Sequence, residues 1–264
     1  MINREDYEEP RCALCMNPKE RIPVDRVIEK LDAYLEDNDL NGAERHLKYW
    51  LSEAEVNKDE AGELTVLGEL MGFMRKNGRM DEALSYAESA LGKVEKYGYS
   101  DTVTGATAVL NAGTVFRSSG KCIQSAECYE KAKKIYEESL DPNDDRLGGL
   151  YNNYASTLCE LERYDEAIEK YDKALKIMSR MPNGRIECAV TYLNLADLYV
   201  KRDGNEASES RTDELLDKAY ECLTDPDNEK NAYYKFILDK CIPAYDYFGQ
   251  FIRSSELKDI LHSY

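Results

Sequence analysis

The sequence predicts an all-α fold, a right-handed superhelical solenoid of stacked antiparallel helical hairpins. Three observations lead there. Apolar residues follow the 3.6-residue helical period from Val24 onward, as in Val24, Val27, Ile28, Leu31, Tyr34 and Leu35. Strand-like alternation is missing. The chain also repeats itself in four rows that stay in phase. One row holds Leu31, Met71, Gly113, Ala155 and Ala196, and a bulkier one, three places on, holds Tyr34, Met74, Phe116, Leu158 and Tyr199. A third runs Ala43, Ala83, Ser125, Ala167, and a fourth Trp50, Ala90, Ala132, Ala174. All four step by 40, 42 and 42 residues, and the first two continue by 41. Self-similarity at such a period marks stacked units that bury together a core none could bury alone.

Taken in order, residues 1–23 contain Pro10, Pro18 and Pro23 without apolar periodicity and read as an irregular N-terminal arm carrying Cys12-Ala13-Leu14-Cys15. Residues 24–227 read as about five repeats. The first helix opens at Val24, the polar break DNDLN follows, and a second helix carries Ala43, Leu47, Trp50 and Leu51. Paired helices are expected near 60–77 and 80–97, 102–119 and 122–139, 144–161 and 164–180, and 185–202 and 211–224. Gly78, Gly120 and Gly204 fall in turns, where a tight helix exit favours a left-handed backbone. Pro142, Pro182 and Pro226 close three repeats, because proline ends a helix. The segment KRDGNEASESRTDE holds about seven extra residues and is expected to lengthen a turn. Residues 228–264 read as a degenerate C-terminal capping hairpin.

Composition bounds the function. Acids exceed bases by 52 to 35, a net charge of −17, whereas nucleic acid and anionic membrane both require clustered Lys and Arg. The chain has no apolar run long enough to span a bilayer and no apolar signal core in MINREDYEEP, so a cytoplasmic protein is expected. Cys122, Cys128, Cys159, Cys188, Cys222 and Cys241 are scattered through helical pattern and read as reduced thiols acting as small hydrophobes.

The segment LYNNYASTLCELERYDEAIEKYDKAL, from Leu150, closely resembles the tetratricopeptide repeat. Tyr154-Ala155, Leu158, Tyr164, Ala167, Tyr171 and Ala174-Leu175 occupy the signature places; AGTVFRSSGKCIQSAECYEKA matches nearly as well, with Ser125 replacing the usual Ala, and MRKNGRMDEALSYAESAL also fits. Small residues at these points let paired backbones approach while large neighbours fill the flanking space. The usual period of this family is about 34 residues. The longer period here is similar to the 42-residue variant of kinesin light chains. The resemblance implies a protein-interaction adaptor whose first helices line a concave groove.

On those first helices Asn111, Asn153 and Asn194 form one row, preceded by Glu29 and Glu69 and doubled by Asn152. Asn is a poor mid-helix residue, but its amide both donates and accepts, which suits an extended peptide backbone. The same amides could instead bond neighbouring helices or water. Asp32, Thr114, Ser156, Asp197, Glu160, Arg117 and Lys201 are further inward candidates. Family members that grip a C-terminal carboxylate use basic residues around Ile28, Gly68, Leu110, Asn152 and Leu193, none of which is basic, so that clamp is not expected. Glu29, Glu69, Glu160 and Asp197 favour a neutral-to-basic peptide.

Chemistry is sparse. Cys12 and Cys15 have the spacing of two zinc ligands or a redox dithiol, but no second such pair completes a four-ligand site. The two histidines, His46 and His262, are far apart, and no phosphate loop or H-E-x-x-H pattern occurs, so neither an enzyme nor a cofactor is expected. The alternative is a regulatory or sensory protein whose Cys12/Cys15 arm binds metal or responds to redox state. Self-association through the apolar terminal hairpin YYKFILDKCIPAYDYFGQFI is a further possibility.

Overall fold

A computed structural model describes residues 20–181 and 184–263. Among them are twelve helices and no strand. The chain divides into two compact units, the first ending at Leu140 and the second beginning at Asp141. The first contains α1 (Val24–Glu36), α2 (Leu40–Asn57), α3 (Glu60–Lys76), α4 (Met80–Tyr97), α5 (Val103–Ser118) and α6 (Cys122–Ser139). The second contains α7 (Asp145–Glu160), α8 (Tyr164–Met178), α9 (Gly184–Asp203), α10 (Asn205–Leu223), α11 (Ala232–Tyr247) and α12 (Phe251–His262).

Helices pair in sequence order, α1 with α2 through α11 with α12, and successive pairs stack within each unit. In the first unit α3 packs on α2 and α5; in the second, α9 packs on α7, α8 and α11. The four sequence rows mark the seams. Ala43, Ala83, Ala90, Ala132, Ala155, Ala167, Ala174 and Ala196 are all fully buried, as is Ser125. Gly113 shows how closely the helices of its hairpin approach: a Cβ there would sit 3.1 Å from the Cβ of Cys128 on the partner helix.

Local chemistry sets the helix ends. Asp39, Asp59 and Thr102 cap α2, α3 and α5, each accepting from the backbone N–H of a glycine three residues on. Asp59 also accepts from the Ile22 N–H at 2.9 Å, tying the chain before α1 to the start of α3. Every hairpin turn contains one left-handed residue: Asn38, Gly78, Gly120, Glu162, Gly204 and Gly249. Four are glycine, for which this conformation carries no Cβ penalty.

The extra residues near 204 do not lengthen a turn. α9 runs to Asp203 and α10 starts at Asn205, so Gly204 alone makes the bend and the insertion becomes extra helix. Once a helix has started, each further residue fixed adds a hydrogen bond, whereas a longer loop is ordered without that return. Ser208 and Thr212 of this stretch are buried.

Candidate functional site

The first helix of each hairpin carries a line of short polar side chains, and the structure divides it into groups already engaged and groups left open. Thr114 Oγ1 lies 2.9 Å from the Tyr129 hydroxyl and donates toward the Leu110 carbonyl. Ser156 Oγ lies 3.1 Å from the Tyr171 hydroxyl and donates to the Asn152 carbonyl. Both were candidates for an inward face, and both serve their own hairpins.

The asparagines separate in the same way. Asn152 Oδ1 accepts from Thr191 Oγ1 at 3.2 Å, joining α7 to α9. Asn111 on α5 lies over α3, where a Cβ on Gly68 would stand 2.8 Å from Asn111 Nδ2. Asn153 and Asn194 are half-buried on α7 and α9, and no side-chain hydrogen bond holds either among the described residues. In the second unit the amide of Asn152 therefore joins two first helices while its neighbours remain available. Sequence reasoning missed Thr191. It continues a row that lies five places before the small-residue row and holds Val66, Ala108 and Leu150, all buried and apolar. A hydroxyl where the three preceding repeats hold apolar residues was the one signal that could have found it.

The acidic candidates sit in different settings. Glu69 on α3 is largely shielded, and burial raises its carboxyl above the ordinary range, with Asp32 adding to the rise. Glu160 is exposed at the end of α7. Asp197 pairs with Lys201 at 2.9 Å along α9. Pairing of this exposed kind contributes little to stability and leaves the carboxylate accessible.

No activated nucleophile emerges among the described residues. The six described cysteines are free, and burial pushes the thiols of Cys128 and Cys159 up to about 11 and those of Cys188 and Cys241 up to about 12. A reactive thiol requires the opposite shift. His46 Nε2 is 2.9 Å from the Val27 carbonyl, a contact that joins α2 to α1. Among the described residues no group of three His, Cys, Asp or Glu side chains is placed to hold a metal ion. Cys12 and Cys15 lie outside the described residues. None of the described helices is long and apolar enough to cross a membrane.

Paired helices with small residues at their seams, stacked in order, match a known repeat. The tetratricopeptide repeat family model matches residues 146–221, which span α7 to α10. Residues 146–221 carry the tetratricopeptide repeat pattern. No curated protein matches it by sequence. Solved structures share the stacked-helix fold. BtubC (BKLC) from P. vanneervenii is 20% identical with a TM-score of 0.65, over 79% of this chain and 84% of that one. A putative kinesin light chain from Podosopora anserina, with nearly identical TPR-like repeats, is 16% identical with a TM-score of 0.55, over 76% and 93%. A Rap protein complexed with Competence and Sporulation Factor is 14% identical with a TM-score of 0.57, over 90% of this chain and 62% of that one.

Proposed function

We propose that the chain is a non-catalytic interaction scaffold that holds an extended peptide segment along the first helices of its repeats. The observation that carries this reading is the contrast on α7 and α9: Asn152 is bonded to Thr191, whereas Asn153 and Asn194 present half-buried amides with no side-chain bond among the described residues. Such groups are usually satisfied, and a peptide backbone supplies both the acceptor and the donor they lack. In the first unit Asn111 and Glu69 occupy the corresponding row on α5 and α3. Glu69, Glu160 and Asp197 favour a neutral-to-basic segment. The Rap protein, a fold neighbour, is seen complexed with Competence and Sporulation Factor, which supports a ligand-holding role for this architecture by analogy of fold. The repeat spacing supports kinship with the long-period repeats of kinesin light chains, and a cytoplasmic setting fits the six free cysteines.

The test is selection from a random peptide library by the full chain, followed by affinity measurement for the selected peptides with wild type and with Asn153→Ala and Asn194→Ala. Enrichment of basic peptides that both variants bind more weakly supports the reading. Enrichment that neither substitution affects overturns it.

A further inference from the structure

Half-buried arginines in this chain are generally held by carboxylates. Arg79 contacts Glu44 and Glu82, Arg146 contacts Asp144, Arg202 contacts Asp203, and Arg253 contacts Asp217. Two described half-buried arginines depart from this pattern, Arg75 in the last turn of α3 and Arg117 in the last turn of α5. Neither forms an ion pair among the described residues, in a chain where 52 acidic residues outnumber 35 basic ones. Acids are plentiful, so the lack of one at these two positions is informative.

The two stand at equivalent points of packed helices. Each is four residues beyond the first repeat row, after Met71 and Gly113, and α3 packs directly on α5. Adjacent helices at usual packing distances of about 8–10 Å bring such long side chains within reach of one ligand. The Arg117 guanidinium has a neutral hydrogen-bond partner in the Tyr129 hydroxyl, but its Nε is buried with no acceptor among the described residues. Burial, and then the charge of Arg117, lower the pKa of Arg75, as expected where two cations share a site without a counter-charge. Gly72, on the same face of α3 as Arg75, has open space where a Cβ would be. A mid-helix glycine is less favourable than alanine. Here it relieves no clash and leaves room beside the arginine.

We propose that Arg75 and Arg117 form an anion site that takes one oxyanion group, a carboxylate or a phosphate, from a ligand of the first unit. Guanidinium forks match the oxygen pairs of both groups, and the ligand would supply the acceptor that Arg117 Nε lacks and neutralise the pair. The site belongs to α3 and α5 and does not depend on the asparagines of the second unit, so either reading can fail alone.

The test follows the arginine Nε–H resonances of the full chain at low chloride during titration with inorganic phosphate and, separately, with acetate. A saturable shift of the Arg117 signal is expected with at least one anion: with phosphate alone for a phosphate source, with acetate for a carboxylate source. Arg75→Gln should weaken that binding about tenfold or more, since bonds to charged groups carry most of the energy of such a contact. Arg45→Gln, at an exposed position, should leave it unchanged. Arg117→Gln, followed by the thermal stabilisation that the anion confers, gives a second measurement. No saturable shift with either anion, or equal affinity in wild type and Arg75→Gln, overturns the proposal.

Discussion

Ser156 Oγ lies 3.1 Å from the Tyr171 hydroxyl, and 42 residues earlier Thr114 Oγ1 lies 2.9 Å from the Tyr129 hydroxyl. The same bond thus recurs between the helices of two hairpins. Tyr129 and Tyr171 are almost wholly buried, so their hydroxyls need an internal partner, and a short hydroxyl on the first helix provides it. Replacing Tyr171 by Phe should lower stability by about 1 kcal/mol, a typical net value for one hydrogen bond. Urea denaturation checks this, and an unchanged midpoint would mean that water satisfies the hydroxyl equally well.

The close approach of the helices in a hairpin rests on alanine. Ala167 and Ala174 on α8 are fully buried against α7. Leucine at either place should destabilise the chain by about 1–3 kcal/mol through overpacking. A melting temperature equal to that of wild type would contradict the seam assigned here.

Glu162 occupies a hairpin turn with φ of 58°, where four of the other turns have glycine. A side chain in this left-handed region is strained, but glycine also gains freedom in the unfolded chain, which offsets part of the relief. Glu162→Gly should therefore stabilise the chain by about 1 kcal/mol or less. A lower denaturation midpoint would show that the exposed glutamate makes a compensating contribution.

Arg79 and, next, Lys48 hold the carboxyl of Glu44 down at about 2, against 4.5 for a free side chain. A carboxyl depressed in the folded state contributes stability that is present in full above pH 4.5 and is lost as pH falls from there through about 2. Glu44→Gln should flatten the corresponding part of the acid limb. Both partners are partly exposed, with side-chain exposures of 20% for Glu44 and 35% for Arg79, so solvent screening should hold the effect to about 1 kcal/mol or less. Measured stabilities of the two proteins should converge at the acid end of that window. A constant gap across the window would rule out titration of Glu44 as the cause.

Asn153→Ala should cost about 1–3 kcal/mol of peptide binding if its amide pairs with the ligand backbone and nothing replaces it. Folding stability should scarcely change, because no side-chain hydrogen bond among the described residues holds Asn153 in the free protein. Asn152→Ala should behave differently and reduce stability, since it removes the bond between Asn152 and Thr191 that joins α7 to α9, although Thr191 keeps the Glu187 carbonyl as an acceptor. Calorimetry on both variants separates binding from folding. A large loss of stability in Asn153→Ala would make that residue structural.

The repeat rows were legible because backbone contact leaves its mark on residue size at every repetition. Ala83, Ser125 and Ala167 must all be small for the same steric reason, so the pattern survives changes in everything around them. Helix pairing and three of the left-handed turns, at Gly78, Gly120 and Gly204, could be read in the same way. Glu162 could not, because a glutamate gives no hint of a left-handed backbone; the turn geometry is imposed by the helices on either side. Nor could the fate of the residues near 204, where the pattern KRDGNEASESRTDE has the polarity of a loop, yet Ser208 and Thr212 are buried within α10.

The sequence by itself determined the all-helical class, the order of the hairpins and the small-residue seams, because these depend on spacing along the chain and on side-chain volume. Only the tertiary structure decided which polar groups are engaged. Asn152 and Asn153 are adjacent and chemically identical, but a helix turns by about 100° per residue, 3.6 residues to the turn. One amide meets Thr191 on α9, and the other finds no such bond among the described residues. Arg75 and Arg79 likewise differ by what neighbouring helices bring to them: Glu44 and Glu82 reach Arg79, and no described carboxylate reaches Arg75. Whether a polar side chain is satisfied depends on atoms far away in the chain, and only the packed helices bring those atoms together.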